Sequence, residues 1–450
     1  MTHDITNDTI KNFTADLANH PAYGVAANAA QKNGIFKASE SLQTAINLTP
    51  TFSIEIDTGK VANQLRSGRC WMFSALNTMR HPVQKQFKLK DFELSQNYTN
   101  FWDKFEKSNW FFENVLATAK TDLTDRKVAF LFATPQQDGG QWDMLCGIIE
   151  KYGIVPKAVY PETANATDSS ALNDTLNHLL RKDGLELRAL VRDEKTASEL
   201  AARKTSMLND VFRVLAISLG VPPTKFDFEF KDDEGNYHRD TDLTPKIFFE
   251  KYVGMNLADH ISTINAPTSD KPWHQVFSVE YLGNVVGGRQ VRHLNLKMAE
   301  MKALMIKQLE ASEVVWFGSN VVKDSERQAG YLDTKLYDRD QLFDVDFGMS
   351  KAEALDSGES LMDHAMVITG VDLVAGKPTK WKVENSWGEK PGFKGYFVMS
   401  DAWLDNFVYQ AVINRRFLPA DLLASYEQGC KHPVPLAPWD PMGALASRVF

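Results

Sequence analysis

Asn63-Gln64-Leu65-Arg66-Ser67-Gly68-Arg69-Cys70-Trp71 sets a glutamine six positions ahead of a cysteine, with a Ser-Gly turn between them. Past the cysteine, Met72, Ala75, Leu76 and Met79 recur at i, i+3, i+4 and i+7, and His81-Pro82 closes the run. The spacing predicts a helix whose first turn carries Cys70, where the macrodipole and unpaired backbone N–H groups favour a thiolate over a thiol. A free cysteine, with a pKa of about 8.5, is only a few per cent thiolate at neutral pH. Lowering it to about 4 takes roughly 6 kcal/mol at ~1.36 kcal/mol per unit. A helix N-terminus supplies at most ~2 kcal/mol. The balance calls for a nearby cation, most naturally an imidazolium with a group to orient it.

Such a histidine lies far downstream. Leu361-Met362-Asp363-His364-Ala365-Met366-Val367-Ile368-Thr369-Gly370 reads as a buried strand, with His364, Met366 and Ile368 on one face and Ala365, Val367 and Thr369 on the other. A polar pair in such a run needs partners, because leaving it unpaired costs about 1–3 kcal/mol. Trp381-Lys382-Val383-Glu384-Asn385-Ser386-Trp387-Gly388 reads as a second strand ending in an amide. A turn at Gly392-Phe393-Lys394-Gly395 and the strand Tyr396 to Met399 follow. Adjacent strands would set the Asn385 side-chain oxygen against the imidazole N–H of His364. Alone, a cysteine or a histidine is usually inert or structural. The order Gln64, Cys70, His364, Asn385, each in a fitting local context, carries the reading of nucleophilic catalysis.

Outside these segments the chain supplies framework. Residues 1–50 read as an arm of short helices (Asp8 to Leu17, Ala26 to Lys32), and Phe52 to Asp57 alternates like a strand. Glu93 to Tyr98 opens a helical region running through the aromatic-rich Phe101 to Phe112. Pro135 to Gly140 is a loop before a helix with Trp142, Leu145, Cys146 and Ile149 on one apolar face and Gly153 at its end. Cys146 is therefore expected in the core. Two charged helical stretches, Leu172 to Arg192 and Thr196 to Leu219, precede Pro222-Pro223, the alternating Phe226, Phe228 and Phe230, and a turn at Asp232 to Asn236. They read as an inserted oligomerisation module or as a plain solvated insertion. Gly283 to Gly288 lacks the spacing of a nucleotide loop and is read as a turn. Met298, Met301, Leu304 and Met305 form a helical core stripe ahead of a strand from Val314 to Phe317.

Composition narrows the function class. At 43% hydrophobic and 24% charged residues over 450, the chain reads as an ordinary globular protein with room for two or three lobes. A net charge of -8 and a pI near 5.8 argue against nucleic acid or an anionic membrane as the main partner. Neither a signal peptide nor a run of about eighteen apolar residues is visible. Three cysteines cannot build a disulfide framework, so a reducing, cytoplasmic home is expected. No His/Cys/carboxylate cluster has ligand spacing, so neither a metal nor a cofactor is expected.

Gln64, Ser67 to Trp71, Asp363-His364-Ala365 and Glu384 to Gly388 resemble the active-site segments of papain-like cysteine peptidases. Glu93 to Gln96, Gly139-Gly140, Lys151-Tyr152-Gly153-Ile154 and Tyr160-Pro161 match that family in order. Length and the ending Pro438-Trp439-Asp440-Pro441-Met442-Gly443-Ala444-Leu445-Ala446 are similar to the bleomycin hydrolase and bacterial aminopeptidase C branch over nearly the whole chain. The resemblance implies an α+β, two-lobed fold. Its parts are an N-terminal arm (1–50), a helical lobe with the cysteine (51–169), an inserted helical hook (170–260), a β-rich lobe with His and Asn (261–435) and a tail in the cleft (436–450). It also implies peptide substrates, a homohexameric barrel with inward-facing sites, and aminopeptidase action.

By this resemblance Cys70 attacks the peptide carbonyl, His364 pairs with the thiolate and protonates the leaving amine, and Asn385 orients His364 under the Trp387 indole, with Asp363 in support. Gln64 and the Cys70 N–H form the oxyanion hole. Gly139 and Gly140 pair with the substrate backbone, and Trp142 and Ala365 wall its side-chain pocket. The tail's terminal carboxylate, at the equivalent of Ala446, receives the substrate α-ammonium. The present sequence departs there, continuing as Ser447-Arg448-Val449-Phe450. An oligopeptide endopeptidase, or self-trimming of the tail, is the alternative this raises. A scaffold protein with a fossil site is opposed by the intact set of four.

Overall fold

The computed structural model describes residues 4–443. The N-terminal arm consists of the helices Asn7–Asn19, Pro21–Asn33, Ile35–Ser39 and Leu42–Asn47, and the first two bury no residue at all. It rests on the 336–344 segment, where Ser41 N–H donates to Leu336 C=O (2.9 Å), Tyr23 Oη donates to Asp344 (2.9 Å) and Phe36 meets Tyr337 edge-on. Ile54–Glu55 then pairs antiparallel with the strand His364–Val374, joining the start of the chain to the β-rich lobe.

The helical lobe is built on Cys70–Phe87, Gln96–Ala117, Arg126–Ala133 and Trp142–Tyr152. The stripe Met72, Ala75, Leu76 and Met79 is buried against Leu145, Cys146 and Ile149 of the last helix, so Cys146 is a core residue. Gly153 closes that helix at φ 73°, and a Cβ there would lie 2.3 Å from the Pro245 carbonyl carbon. One expectation fails. His81-Pro82 does not end the Cys70 helix, which runs on to Phe87. Tertiary contacts offset the lost backbone bond, with Val83 fully buried and Phe87 packed on Tyr252 (4.9 Å) and Phe230 (6.3 Å).

The predicted helical pair is present as Ser170–Arg192 and Ala197–Leu219, the second opened by a Thr196/Glu199 capping box. Leu172, Leu176, Leu180 and Leu187 of the first face Met207, Val211, Leu215 and Leu219 of the second. Both pack on Phe101, Phe111 and Phe112 of the Gln96–Ala117 helix. The alternating phenylalanines form a hairpin, Phe226–Lys231 with Tyr237–Leu243, laid on Phe92, Phe248 and Tyr252.

In the second lobe one sheet carries the remaining chemistry. Across its middle run His260–Ile264, Val408–Asn414, Val315–Ser319, His364–Val374, Lys377–Glu384 and Tyr396–Ser400, each antiparallel to the next. Trp316 and Ala365 face the Cys70 helix, while Phe317 and Met366 pack on the opposite side with Met301, Leu304 and Met305 of the helix Met298–Glu310. Register places His364 opposite Ser319 on one neighbour and Val367 opposite Glu384 on the other. Among the described residues no helix is long and apolar enough to cross a membrane.

Candidate active site

Cys70 is the first residue of its helix, with Arg69 at the cap position. The turn before it is pinned from three sides. The buried Arg69 guanidinium donates to both Glu162 oxygens (3.1 and 2.8 Å), to Ala166 C=O (2.6 Å) and to Ser67 Oγ (3.0 Å). Gly68 N–H donates to Asp138 (2.9 Å), and Trp71 Nε1 donates to the Asp138 carbonyl (2.7 Å). Opposite the helix, Ser74 Oγ donates to Ala365 C=O (2.9 Å). The residue after His364 is thereby tied to the first turns of the Cys70 helix.

His364 Nε2 meets Asn385 Oδ1 at 2.8 Å, and the Trp387 indole covers the ring at a centroid distance of 4.8 Å. Asn385 follows the last residue of its strand, and its Oδ1 also accepts from Ser386 N–H (2.7 Å). Because Nε2–H donates to an amide oxygen, the tautomer leaves Nδ1 as the basic nitrogen. Asp363, just ahead of the strand, accepts from Val321 N–H (2.8 Å), and the strand begins at His364 rather than at Leu361.

Burial sets the electrostatics. It pushes the Cys70 thiol up to about 12, against donors from the Ala365 and Trp71 backbones, and it pushes the His364 imidazole down to about 4 against the Asn385 bond. Taken singly, each group is therefore neutral at pH 7. The helix terminus alone does not outweigh desolvation of a fully buried sulfur, so the anion depends on the imidazole for its countercharge. A sulfur anion here requires its proton to move to His364, so that the charges appear together.

Gln64 is held between the two lobes. Its N–H donates to Ser386 C=O (2.8 Å), its Oε1 accepts from Ser386 Oγ (2.5 Å), and its Nε2 donates to Ser67 C=O (2.6 Å). An amide nitrogen has two hydrogens, so one remains for a further acceptor. Beside it Asn63 bridges Trp387 in antiparallel fashion.

Gly139 and Gly140 lie against this turn. A Cβ at Gly140 would fall 2.6 Å from the Trp71 ring. The Gly139 carbonyl is occupied by Lys107 Nζ (2.6 Å), while the Gly140 N–H and C=O have no partner among the described residues. Of the two, Gly140 keeps both backbone groups free among the described residues.

Ala365 is fully buried in the same cluster as Cys70 and Met442. Trp142 does not wall the cleft. Its ring packs between His260 (5.6 Å) and Trp316 (6.2 Å) in the core between the lobes, because as the first residue of a core helix it belongs to the apolar face of Leu145 and Ile149. Ala446 lies outside the described residues. The segment before it does reach the site: Gln141 Nε2 donates to Gly443 C=O, Met362 N–H donates to Pro441 C=O (3.4 Å), and Met442 is buried.

Residues 4–443 match the Peptidase C1-like family. The chain belongs to that family. It is 77% identical over 448 residues to Aminopeptidase C of Lactobacillus helveticus, covering 100% of both chains. It is 51% identical over 445 residues to Aminopeptidase C of Streptococcus thermophilus, covering 99% of each. The crystal structure of PepW from Lactobacillus rhamnosis HN001 is similar over 99% of this chain and 100% of that one, with a TM-score of 0.98 at 61% identity. The molecule is a papain-like cysteine peptidase of the bleomycin hydrolase and aminopeptidase C branch.

Sequence reading of this C1 peptidase missed the buried charges that hold the site. Glu384 accepts from Arg80 (2.8 Å), Asn77 (2.9 Å) and Thr58 (2.6 Å), joining the Asn385 strand to the Cys70 helix. Asp138 is bonded to Lys104 (2.7 Å), Asn173 (3.0 Å) and Ser169; burial alone would raise its carboxyl, but Lys104 and these donors hold it well below the usual range. Lys107 bridges Asp103 (2.6 Å) and Gly139. Lys104 and Lys107 stand among the buried aromatics of one helix. Charges at those positions were the available signal.

Proposed function

We propose that this peptidase removes N-terminal residues from oligopeptides, with Cys70 as nucleophile, His364 as acid and base, Asn385 as its orienting group and Gln64 with the Cys70 N–H as oxyanion donors. The observation that carries the reading is the join of the two lobes at the site: His364 is fixed by Asn385 at 2.8 Å on a strand whose next residue is tied to the Cys70 helix. Transfer of the proton from Sγ to Nδ1 forms the thiolate and the imidazolium together, which spares either buried group from carrying an uncompensated charge. The thiolate then attacks. The second Gln64 hydrogen and the helix N-terminus stabilise the oxyanion, each donor being worth roughly 3–4 kcal/mol. Imidazolium returns its proton to the leaving amine, and water resolves the acyl-enzyme by the reverse route.

Exopeptidase action is supported by the segment at Pro441 to Gly443, which is bonded to Gln141 and Met362 and would limit how far a substrate extends on the amino side of the scissile bond. Gly140 would pair with the substrate backbone, and Ala365 would contact its side chain. Peptide pairs with free and acetylated N-termini test the reading. The free peptides should lose residues one at a time and the acetylated ones should stay intact; rapid internal cleavage of acetylated peptides would overturn it.

The proposed assembly is a homohexamer. It is supported by the arm helix Asn7–Asn19, which carries Ile10, Phe13 and Leu17 exposed at i, i+3 and i+7 with nothing to cover them among the described residues. Light scattering should give about six times the chain mass; a monomer would refute it. Three cysteines without a disulfide suit a reducing cytoplasm, which fractionation of cells would test.

A further inference from the structure

The segment that reaches the site near the chain end is tied to the β-rich lobe by an ion pair, Lys271 Nζ with Asp440 Oδ2 at 3.0 Å. Their side chains are only 6% and 10% exposed. Lys271 is held by its own lobe. Its N–H donates to Thr268 C=O (3.1 Å), its carbonyl accepts from the buried Asn295 Nδ2 (2.8 Å), and its Nζ has the exposed Asp270 as a second partner (2.9 Å). The lobe thus presents a preset cation, and Asp440 is the group that docks on it.

Asp440 also bends the chain that follows. Its Oδ1 accepts from Met442 N–H (2.9 Å), and its carbonyl accepts from Gly443 N–H (2.9 Å). This turn places the Met442 side chain in the cluster of Cys70 and Ala365, and it brings Gly443 C=O to the side chain of Gln141, the residue after Gly140. Toward the helical lobe, Trp439 lies under the Arg126 guanidinium (3.7 Å) and against Phe130 (6.3 Å) of the helix Arg126–Ala133. Packing does not wedge the segment beside Lys271, because a cavity of about 190 Å³ lies there, lined by Thr268, Leu355, Trp439 and Pro441 as well as by the pair. The ion pair and the turn built on its carboxylate therefore fix the depth of residues 441–443.

We propose that Lys271 and Asp440 are positioning residues that set how far residues 441–443 reach toward Cys70, and so how many substrate residues fit on the amino side of the scissile bond. The inference rests on the exopeptidase reading and names the contact that enforces it. One residue of extended chain spans about 3.3–3.6 Å, so a shift of that size in the segment admits one further substrate residue. A pair that served stability alone would affect free and blocked peptides alike, whereas a pair that sets register acts on the choice between them.

Full-length Asp440→Asn is the primary variant, because the amide oxygen still accepts from Met442 N–H and Asp270 still neutralises Lys271. Turnover of leucyl-leucyl-glycyl-phenylalanine is compared with that of its N-acetylated form, with products identified by mass. Wild type should cleave the free peptide and leave the acetylated one intact. In Asp440→Asn the ratio of kcat/KM for free over acetylated peptide should fall by about tenfold or more, as internal cleavage of the acetylated peptide emerges. Lys271→Gln should move the ratio the same way, and Lys271→Arg, which keeps the charge, should hold it within about threefold of wild type. An unchanged ratio in Asp440→Asn, beside a wild type that rejects the acetylated peptide, would overturn this inference and leave the exopeptidase reading standing. A wild type that cleaves both forms equally would overturn both. Should Asp440→Asn fail to fold, Lys271→Gln decides by the same ratio.

Discussion

Glu384 and Arg80 form a buried pair with opposite freedoms, and separating them gives a quantitative test of how the site is held. Their side chains are 1% and 3% exposed, and their bond of 2.8 Å joins the strand of Asn385 to the helix of Cys70. Removing one partner of such a pair costs about 3–5 kcal/mol, since the other charge is left without compensation. The survivors are not equivalent. In Glu384→Gln the guanidinium remains charged at any accessible pH, because arginine does not release its proton in proteins. In Arg80→Met the surviving carboxyl can take up a proton. Burial already raises the pKa of Glu384 in the intact pair, with Arg80 opposing it, so loss of Arg80 raises it further.

The pH dependence follows from that sign. A group whose folded pKa lies above its unfolded value binds the proton more tightly when folded. Stability then falls as pH rises from the unfolded pKa, about 4.3, toward the raised folded one, and it returns as pH falls. Keeping Glu384 protonated costs about 1.36 kcal/mol per pH unit above 4.3, hence about 3.7 kcal/mol at pH 7 and about 1.6 kcal/mol at pH 5.5. The two variants should be similarly destabilised at pH 7, and Arg80→Met should recover about 2 kcal/mol relative to Glu384→Gln at pH 5.5. Urea unfolding at matched protein concentration at both pH values measures this difference. A gap between the variants that stays constant with pH, or widens in the opposite sense, would refute the claim that the pair is held against desolvation.

Three further outcomes follow from the geometry. Gln64→Ala should lower kcat roughly 10²–10³-fold with KM little changed, because the second amide hydrogen acts only on the developing oxyanion; a loss below fivefold in peptide turnover would remove Gln64 from that role. Alkylation of Cys70 by iodoacetamide should be nearly flat between about pH 5.5 and 8.5, since the neutral pair and the ion pair hold the same number of protons. That count changes only as His364 gains a proton toward about 4 or the thiol loses one toward about 12. A tenfold rise per unit approaching pH 8.5 would instead mark an ordinary free thiol. Gly140→Ala should lower thermal stability and raise KM together, because its methyl would fall 2.6 Å from the fully buried Trp71 ring and overpacking costs about 1–3 kcal/mol; a variant with unchanged melting and KM would show that the loop yields.

What the chain discloses in advance is what periodicity and local chemistry encode. The Cys70 helix start and the Asn385 strand end are each set by neighbours within a few residues and lie where their own patterns put them, while the His364 strand starts three residues later than its pattern suggests. Pro82 shows the limit of that rule. Its helix continues because Val83 and Phe87 find partners elsewhere in the fold, which no window around the proline contains. Trp142 shows it again: helical spacing put its ring on an apolar face, but only the packed lobes reveal that this face meets Trp316 instead of the cleft.

The deeper loss is of partnership. Glu384 and Arg80 are 304 residues apart, and Lys104 and Asp138 are 34 apart across a helix and a loop. A charged residue in a sequence is ordinarily solvated, so nothing local marks Glu384, Arg80 or Asp138 as buried, and only the aromatic neighbours of Lys104 set it apart. Yet they hold the pieces that the patterns do reveal. Lys104 and Lys107 fix the loop ahead of the Trp142 helix through Asp138 and Gly139, Asp138 fixes Gly68, and Glu384 ties Asn385 to the helix that begins at Cys70. The reacting groups are therefore legible from local pattern. Their relative positions depend on buried ion pairs whose members become recognisable only once both lobes are folded, which is why the chemistry of the site could be read before its geometry.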